Sequence, residues 1–146
     1  MTVRPAFIVA AGGIGAFLYF APPTCILPAR TYAPETAALM AIRTLNAAQT
    51  QYQAQFGRFA RSLAELGPPA RGPENASAAN LISAELAAGE RQGYKFTLIS
   101  TPTGYTTTAV PSTFCGSRTF YSDQTLVIHE NVGPQPATAS SKEIGK

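Results

Sequence analysis

The segment from Pro34 to Gly57 carries apolar side chains at intervals of three and four residues, with polar side chains between them. This spacing is typical of an amphipathic helix, because it gathers the apolar side chains on one face. Pro34 and Glu35 suit the first turn of such a helix, and Gly57 suits its end. We therefore predict a helix with one apolar face, on which Ala48 or Gln49 also lies. This face is expected to form the core of a globular head through Leu39, Ile42, Leu45, Tyr52 and Phe56.

Two shorter helical segments follow. Ser62 can cap a short turn that carries two leucines, and Gly67 with the two prolines after it ends that turn. After a loop that contains Pro and Gly, Ser77 precedes the segment AANLISAELAAG. The spacing of its apolar residues predicts a second short helix, which Gly89 closes.

From Gly93 onward the pattern changes from a helical period to alternation. Alternation over four to eight residues predicts strands, and Pro102 with Gly104 marks a turn between the first two. The four predicted strands are GYKFTLIS, YTTTAVPS, SRTFYSDQT and LVIHEN. We therefore predict an α+β fold, in which a long N-terminal helix packs on an antiparallel β-meander of about four strands.

The N-terminal segment is apolar and carries no formal charge from residue 5 to residue 29. Its dense apolar part, residues 6–21, ends at Pro22 and Pro23, and a helix needs about 20 apolar residues to cross the hydrocarbon core of a bilayer. Three interpretations stay open: a cleaved export signal, for which no good cleavage site follows; an uncleaved anchor; and a helix buried by other copies of the chain. For an assembly interface, the candidate residues are Phe7, Ile8, Ile14, Phe17, Leu18 and Phe20.

Length and composition limit the remaining possibilities. A chain of 146 residues has room for one small domain, which we divide into the apolar segment 1–33, a globular head 34–132 and a flexible C-terminal tail 133–146. Only 13% of the residues are charged, so the net charge of +3 reflects few acids and no basic patch. Nucleic acid is therefore not an expected partner, because phosphate binding needs clustered Lys and Arg.

Few residues suggest a chemical site. Cys25 and Cys115 allow one disulfide if the N-terminal segment is retained, and its removal would leave Cys115 alone. The alternative is that the two are unpaired, with Cys115 a small buried apolar residue and Cys25 facing lipid or a neighbouring molecule. His129 is the only histidine and has no cluster of acids or cysteines at ligand spacing, so we expect neither a metal nor another cofactor. Ser122, Asp123 and His129 lack a nucleophile elbow, and we expect structural roles for them, with Asp123 fixing a turn. The sequence therefore predicts a protein that is not an enzyme.

Several segments, taken in order, resemble type IV pilins and the pseudopilins of type II secretion. The likeness covers residues 35–141 and lies in the series RTLNAAQTQY, SLAELG, GYKFTL, GYTTTAVP, RTFYSDQTLVI and GPQPATASS. The chain departs from that family near its start, which reads VRPAFIVAAGG: no Gly precedes the apolar run, no Glu lies within it, and the first acid is Glu35. The leader peptidase step and the Glu ion pair of that family are therefore not implied.

The resemblance implies a pilin-like fold and a structural role. The chain would be a subunit of an extracellular pilus-like filament or pseudopilus, assembled through its apolar N-terminal helix. Its partners would be copies of itself and other pilin-like subunits, and it would pass through the inner membrane to the cell surface or the exterior. The alternative is a secreted, soluble binding or adhesion module, released by removal of the N-terminal segment.

Overall fold

The structure is a computed structural model that describes residues 32–112 and 118–145. These residues form one long helix, two short helices and six strands in chain order. The elements are α1 (Tyr32–Phe56), α2 (Leu63–Leu66), α3 (Ala84–Ala87), β1 (Glu90–Arg91), β2 (Tyr94–Thr101), β3 (Gly104–Pro111), β4 (Arg118–Asp123), β5 (Ile128–Val132) and β6 (Lys142–Glu143).

Helix α1 lies on one face of the sheet, mainly against β3 and β4. Its buried positions follow the helical period and include three alanines, whose small side chains let the helix backbone approach the sheet closely. The buried stripe consists of Ala38, Ala41, Ile42, Leu45, Asn46, Ala48, Gln49 and Tyr52. Of the residues that we predicted for the core, Ile42, Leu45 and Tyr52 are fully buried, and Leu39 and Phe56 are partly buried against them. None of the described helices combines the length and the apolar content that crossing a membrane requires.

The sheet is an antiparallel meander with the strand order β1-β2-β3-β4-β5-β6. Phe96 pairs with Ala109, and Ala109 pairs with Phe120, so these three side chains form one row on the face that packs against α1. We call this the inner face. The neighbouring row of the opposite, outer face joins Thr97, Thr108 and Tyr121 in the same way.

The fold class that we predicted is wrong. In place of a long N-terminal helix on a meander of about four strands, residues 32–112 and 118–145 form one six-stranded antiparallel sheet with the 25-residue helix α1 and two short helices. The additional strands, β1 and β6, are two residues long and form the two edges of the sheet, where alternation is too short to be recognised. The long N-terminal helix is not seen, since residues 1–31 lie outside the described residues.

The second short helix begins later than we predicted. It spans Ala84–Ala87, with Ser83 as its N-cap, and does not start near Ser77. Asn80 has a φ of 56°, which interrupts a helix, and its backbone N–H donates to the carbonyl of Gly67 at 2.8 Å. The backbone here therefore bonds to the end of α2, so the predicted helical pattern is realised only in its last turn.

The described part of the C-terminal segment, residues 133–145, is bonded to the sheet. Strand β6 pairs with β5, and the Ile144 N–H donates to the Ile128 carbonyl at 2.8 Å. Before β6, the chain crosses the outer face of the sheet, where Thr119 donates to the Gln135 carbonyl and Ala137 is buried. Paired backbone and a buried side chain tie this segment to the sheet.

Candidate functional site

Ser122 and His129 lie on opposite faces of the sheet. Ser122 pairs with Ile128 on the inner face, whereas His129 pairs with Tyr121 on the outer face. The Ser122 hydroxyl accepts a hydrogen bond from Asn46 at 2.8 Å and donates to a backbone carbonyl, so it points into the core. The imidazole Nδ1 of His129 lies 2.8 Å from the Ser141 carbonyl. These two residues therefore cannot act as a nucleophile and its base.

Asp123 stabilises the turn between β4 and β5, which is the role that the sequence predicted. Its Oδ1 accepts from the Thr125 N–H at 2.9 Å and from the Thr125 hydroxyl at 2.6 Å. Burial raises the pKa of this carboxyl, but the two bonds from Thr125 oppose burial, and the pKa lies below its ordinary value. Asp123 is thus an ionised acceptor in a turn, in the manner of an Asx turn.

A chain of polar groups crosses the interface between α1 and the inner face. The Tyr105 hydroxyl donates to the side-chain amide oxygen of Asn46 at 3.2 Å, and the side-chain amide nitrogen of Asn46 donates to the Ser122 hydroxyl. The Ser122 hydroxyl in turn donates to the backbone carbonyl of Val127 at 2.9 Å. Burial, helped by the charge of Asp123, raises the pKa of Tyr105 to about 12. Because each donor in this chain has an acceptor, the network fixes the position of α1 on the sheet without creating a reactive group.

Gln49 connects α1 to the loop that follows it. Its amide nitrogen donates to the Ala60 carbonyl at 3.1 Å, and its amide oxygen accepts from the Ala60 N–H at 2.8 Å. Both residues are 0% exposed. The side chain therefore pairs with the Ala60 backbone as a neighbouring strand would, and it satisfies two groups that water cannot reach.

Glu65 joins the end of α1 to α2. Its carboxylate accepts hydrogen bonds from the Tyr52 hydroxyl at 3.2 Å, the Arg58 guanidinium at 2.9 Å and the Arg61 backbone N–H at 2.8 Å. Burial raises the pKa of Glu65, but these donors together lower the pKa below its ordinary value. Burial also raises the pKa of Tyr52, as does the adjacent charge of Glu65. The carboxylate is accordingly committed to structural bonds.

Four charged side chains form a second cluster at the opposite end of α1. Arg118 lies 2.9 Å from one oxygen of Glu130, and Lys142 lies 3.3 Å from the other. The Arg118 backbone N–H donates to Glu35 at 3.1 Å. Glu130 is only 9% exposed, and its two carboxylate oxygens each have a cationic partner. The cluster connects the first turn of α1 with β4, β5 and β6.

A groove of about 510 Å³ runs beside α1, and we call it the α1 groove. It lies between the solvent side of α1, the turn before β5 and the end of the chain. Apolar side chains form much of its lining, and the charged residues Arg43 and Glu143 line it as well. The other principal lining residues are Ala47, Thr50, Leu126, Val127, Ile128 and Ile144. Sequence reasoning did not find this surface, because its residues come from three separate segments.

The other predicted sites have no counterpart among residues 32–112 and 118–145. The candidate assembly residues from Phe7 to Phe20 lie outside these ranges, as do Cys25 and Cys115. Within the same ranges, no three His, Cys, Asp or Glu side chains are grouped so that they could hold a metal ion.

The comparisons with known proteins give no relative. No protein-family profile, no curated protein and no solved structure matches the chain.

Proposed function

We propose that this protein is a structural subunit of an extracellular filament, assembled through its apolar N-terminal segment, with the described residues as its head. One observation carries the proposal: α1 is already formed at Tyr32, the first described residue, and only Arg30 and Thr31 separate it from the uncharged run 5–29. A stripe of α1 is buried against the sheet, so the helix that follows the apolar run is fixed to the core of the head. An apolar run that is followed so closely by a fixed helix suits a segment that holds the head in an assembly.

The side chains of the head support a role without catalysis. Asp123 and Glu65 are ionised acceptors in local structure, and Glu130 is enclosed by two cations. His129 contacts the backbone of the C-terminal segment and the ring of Tyr121. In the described part of the chain, these titratable groups serve packing and turns, and none of them faces a nucleophile across a cleft.

The proposed location outside the cytoplasm rests on the resemblance to pilins and on the apolar N-terminal segment. Pilins and pseudopilins, which residues 35–141 resemble in the order of their segments, pass through the inner membrane and act outside the cytoplasm. Burial of one Leu- or Phe-sized side chain contributes about 1.5 to 3 kcal/mol, so the six large residues between Phe7 and Phe20 provide ample attraction between copies. Contacts of head-to-tail type that do not close would extend such an assembly into a filament.

A second function is favoured by the outer face of the sheet. Thr97 is exposed, Thr106 and Thr108 are half-buried, and Ile99 is 57% exposed on this face. Hydroxyl groups beside an exposed apolar side chain suit the recognition of a partner surface. If the N-terminal segment is removed, the head would act alone as a secreted binding or adhesion module.

One experiment separates the two proposals. The full chain is recovered from the exterior of producing cells, and its N-terminal residue is determined by mass spectrometry, for the wild type and for Ile14→Asp. We expect a chain that keeps residues 6–21 and forms filaments visible by electron microscopy, and we expect Ile14→Asp to abolish them because it puts a charge in the apolar segment.

The control is Met40→Asp, which changes an exposed apolar residue of the head. This variant is expected to assemble like the wild type. Filaments formed by Ile14→Asp would refute the structural role. A mature chain that starts near Arg30 and remains monomeric would establish the binding module in its place.

A further inference from the structure

The α1 groove is an apolar surface that the described chain does not fill. Ala47 and Thr50 line it from α1, Leu126 and Val127 line it from the turn before β5, and Ile144 lines it from the segment after β6. The volume of about 510 Å³ is in the range of pockets that hold a small ligand. A few large side chains can enter it, whereas a whole helix cannot.

Leu126 is unusual in two respects that point to this groove. It is 51% exposed, and its φ is 65°, in the left-handed region that Gly, Asn and Asp adopt far more readily than a bulky residue. The turn would form with less strain if Asn occupied the position. An apolar side chain held at a strained, exposed position is better explained by contact with a partner than by the stability of the head.

We propose that the α1 groove receives large apolar side chains from residues 6–21 of a second copy of this chain. The inference rests on the proposed filament function and adds to it the surface that accepts the N-terminal segment. The occupant is indicated by residues 1–31, which precede the described part of α1 and include 25 successive residues without charge. Such a segment brings no buried charge into an apolar groove.

The position of the groove favours a second copy over the same chain. Arg43 and Thr50 lie 11 and 18 residues beyond Tyr32, about 17 and 27 Å along α1 at 1.5 Å per residue. Residues 6–21 of the same chain could reach the groove only by reversing direction within residues 22–31. A neighbouring copy needs no reversal, and repetition of the same contact gives an open, head-to-tail assembly.

The first test compares Leu126→Asn with Ile99→Asn in the full chain in detergent micelles. The two residues are matched, because both are exposed apolar side chains, but Ile99 lies on the outer face, away from the groove. We expect Leu126→Asn to raise the melting temperature by about 2 to 6 °C, because Asn fits the left-handed backbone. We also expect it to weaken self-association at least tenfold, measured by sedimentation, while Ile99→Asn associates like the wild type.

A gain in stability together with a loss of association would not follow from a merely structural role of Leu126. If Leu126→Asn associates normally while Ile14→Asp does not, the groove inference is overturned and the filament proposal stands. If Ile14→Asp also associates normally, both are overturned.

The second test identifies the occupant. A photo-crosslinking amino acid replaces Leu126 in a chain of normal isotopic composition, which is mixed with a chain labelled with nitrogen-15, and the cross-linked tryptic peptides are sequenced by mass spectrometry. We expect the labelled peptide that ends at Arg30 to be joined to the unlabelled head. A cross-link to the unlabelled peptide alone would mean that the same chain folds back on its groove. A cross-link to any other peptide, or none, would also overturn the inference.

Discussion

The replacement of Gln49 by Leu tests how α1 is fixed to the rest of the head. Leu keeps a similar size and helical preference but removes both hydrogen-bonding groups of the amide. The Ala60 N–H and carbonyl, which now bond to Gln49 at 2.8 and 3.1 Å, would then face an apolar side chain. Ala60 is fully buried, so water cannot replace the lost partner without opening the loop.

The expected loss follows from the number of groups left unpaired. A buried donor or acceptor without a partner costs about 1 to 3 kcal/mol, and two of them cost about 2 to 6 kcal/mol. The greater apolar burial of Leu offsets part of this loss, at about 25 cal/mol per Å². We therefore expect Gln49→Leu to lower the free energy of unfolding by about 2 to 4 kcal/mol. A domain of this size changes its melting temperature by about 4 °C per kcal/mol, which corresponds to a fall of about 8 to 16 °C.

The measurement is thermal and urea unfolding of the full chain, followed by circular dichroism. Gln53→Leu is the matched control, because Gln53 lies one turn later on the same helix. The Gln53 side chain is exposed and makes no hydrogen bond to another described side chain or backbone group. Its free energy of unfolding should stay within about 0.5 kcal/mol of the wild type. A Gln49→Leu variant as stable as Gln53→Leu would refute the argument that the pair with Ala60 fixes α1.

Two further predictions concern pH and packing. The pKa of Tyr105 is about 12 in the folded chain against an ordinary value of 10.0, so the unfolded chain loses this proton first as pH rises. In urea titrations of the wild type, the free energy of unfolding should fall by about 2 to 3 kcal/mol between about pH 10 and about pH 12. Tyr105→Phe lacks the hydroxyl, so its free energy of unfolding should fall by correspondingly less. Equal falls in both chains would contradict the assignment of the effect to Tyr105. Gly67→Ala should lower the free energy of unfolding by about 1 to 3 kcal/mol in the same titration, because the added Cβ would lie 2.6 Å from the Ala87 Cβ on α3. A Gly67→Ala chain as stable as the wild type would show that α3 moves freely.

Periodicity was a good guide where an element is long and packs on one side only. Helix α1 has to present a continuous stripe to the sheet, so its apolar spacing is visible in the sequence, and β2 and β3 alternate over eight residues each. The edge strands β1 and β6 have two residues each, and their pairing partner defines them more than their own residues do. The strand count, and with it the predicted fold class, failed for that reason.

The α1 groove could not be predicted for a different reason. Leu126 begins the apolar run LVIHEN, so alternation assigned it to a strand, whereas the backbone turns at this residue and β5 starts at Ile128. A left-handed turn is normally announced by Gly or Asn, and Leu gives no such signal. Ile144, which also lines the groove, comes from a segment whose sequence shows neither a helical nor an alternating period. Surfaces assembled from distant segments by an unmarked turn become visible only in three dimensions.

The two-residue edges of the sheet have a consequence for a protein that is proposed to gather in many copies. An exposed strand with a long row of unpaired N–H and C=O groups is a template on which another chain can pair, and this is a common beginning of amyloid-like aggregation. Here β6 covers β5 on one side with only two residues, Lys142 and Glu143, both charged, while β1 at the other edge consists of Glu90 and Arg91. These charged pairs oppose pairing with another chain where they lie, but β1 pairs only with Tyr94 and Lys95 of the eight-residue strand β2. Among the described residues, that side of β2 has no neighbouring strand at 97–101, so this is where heads crowded together in the proposed assembly would be most prone to pair.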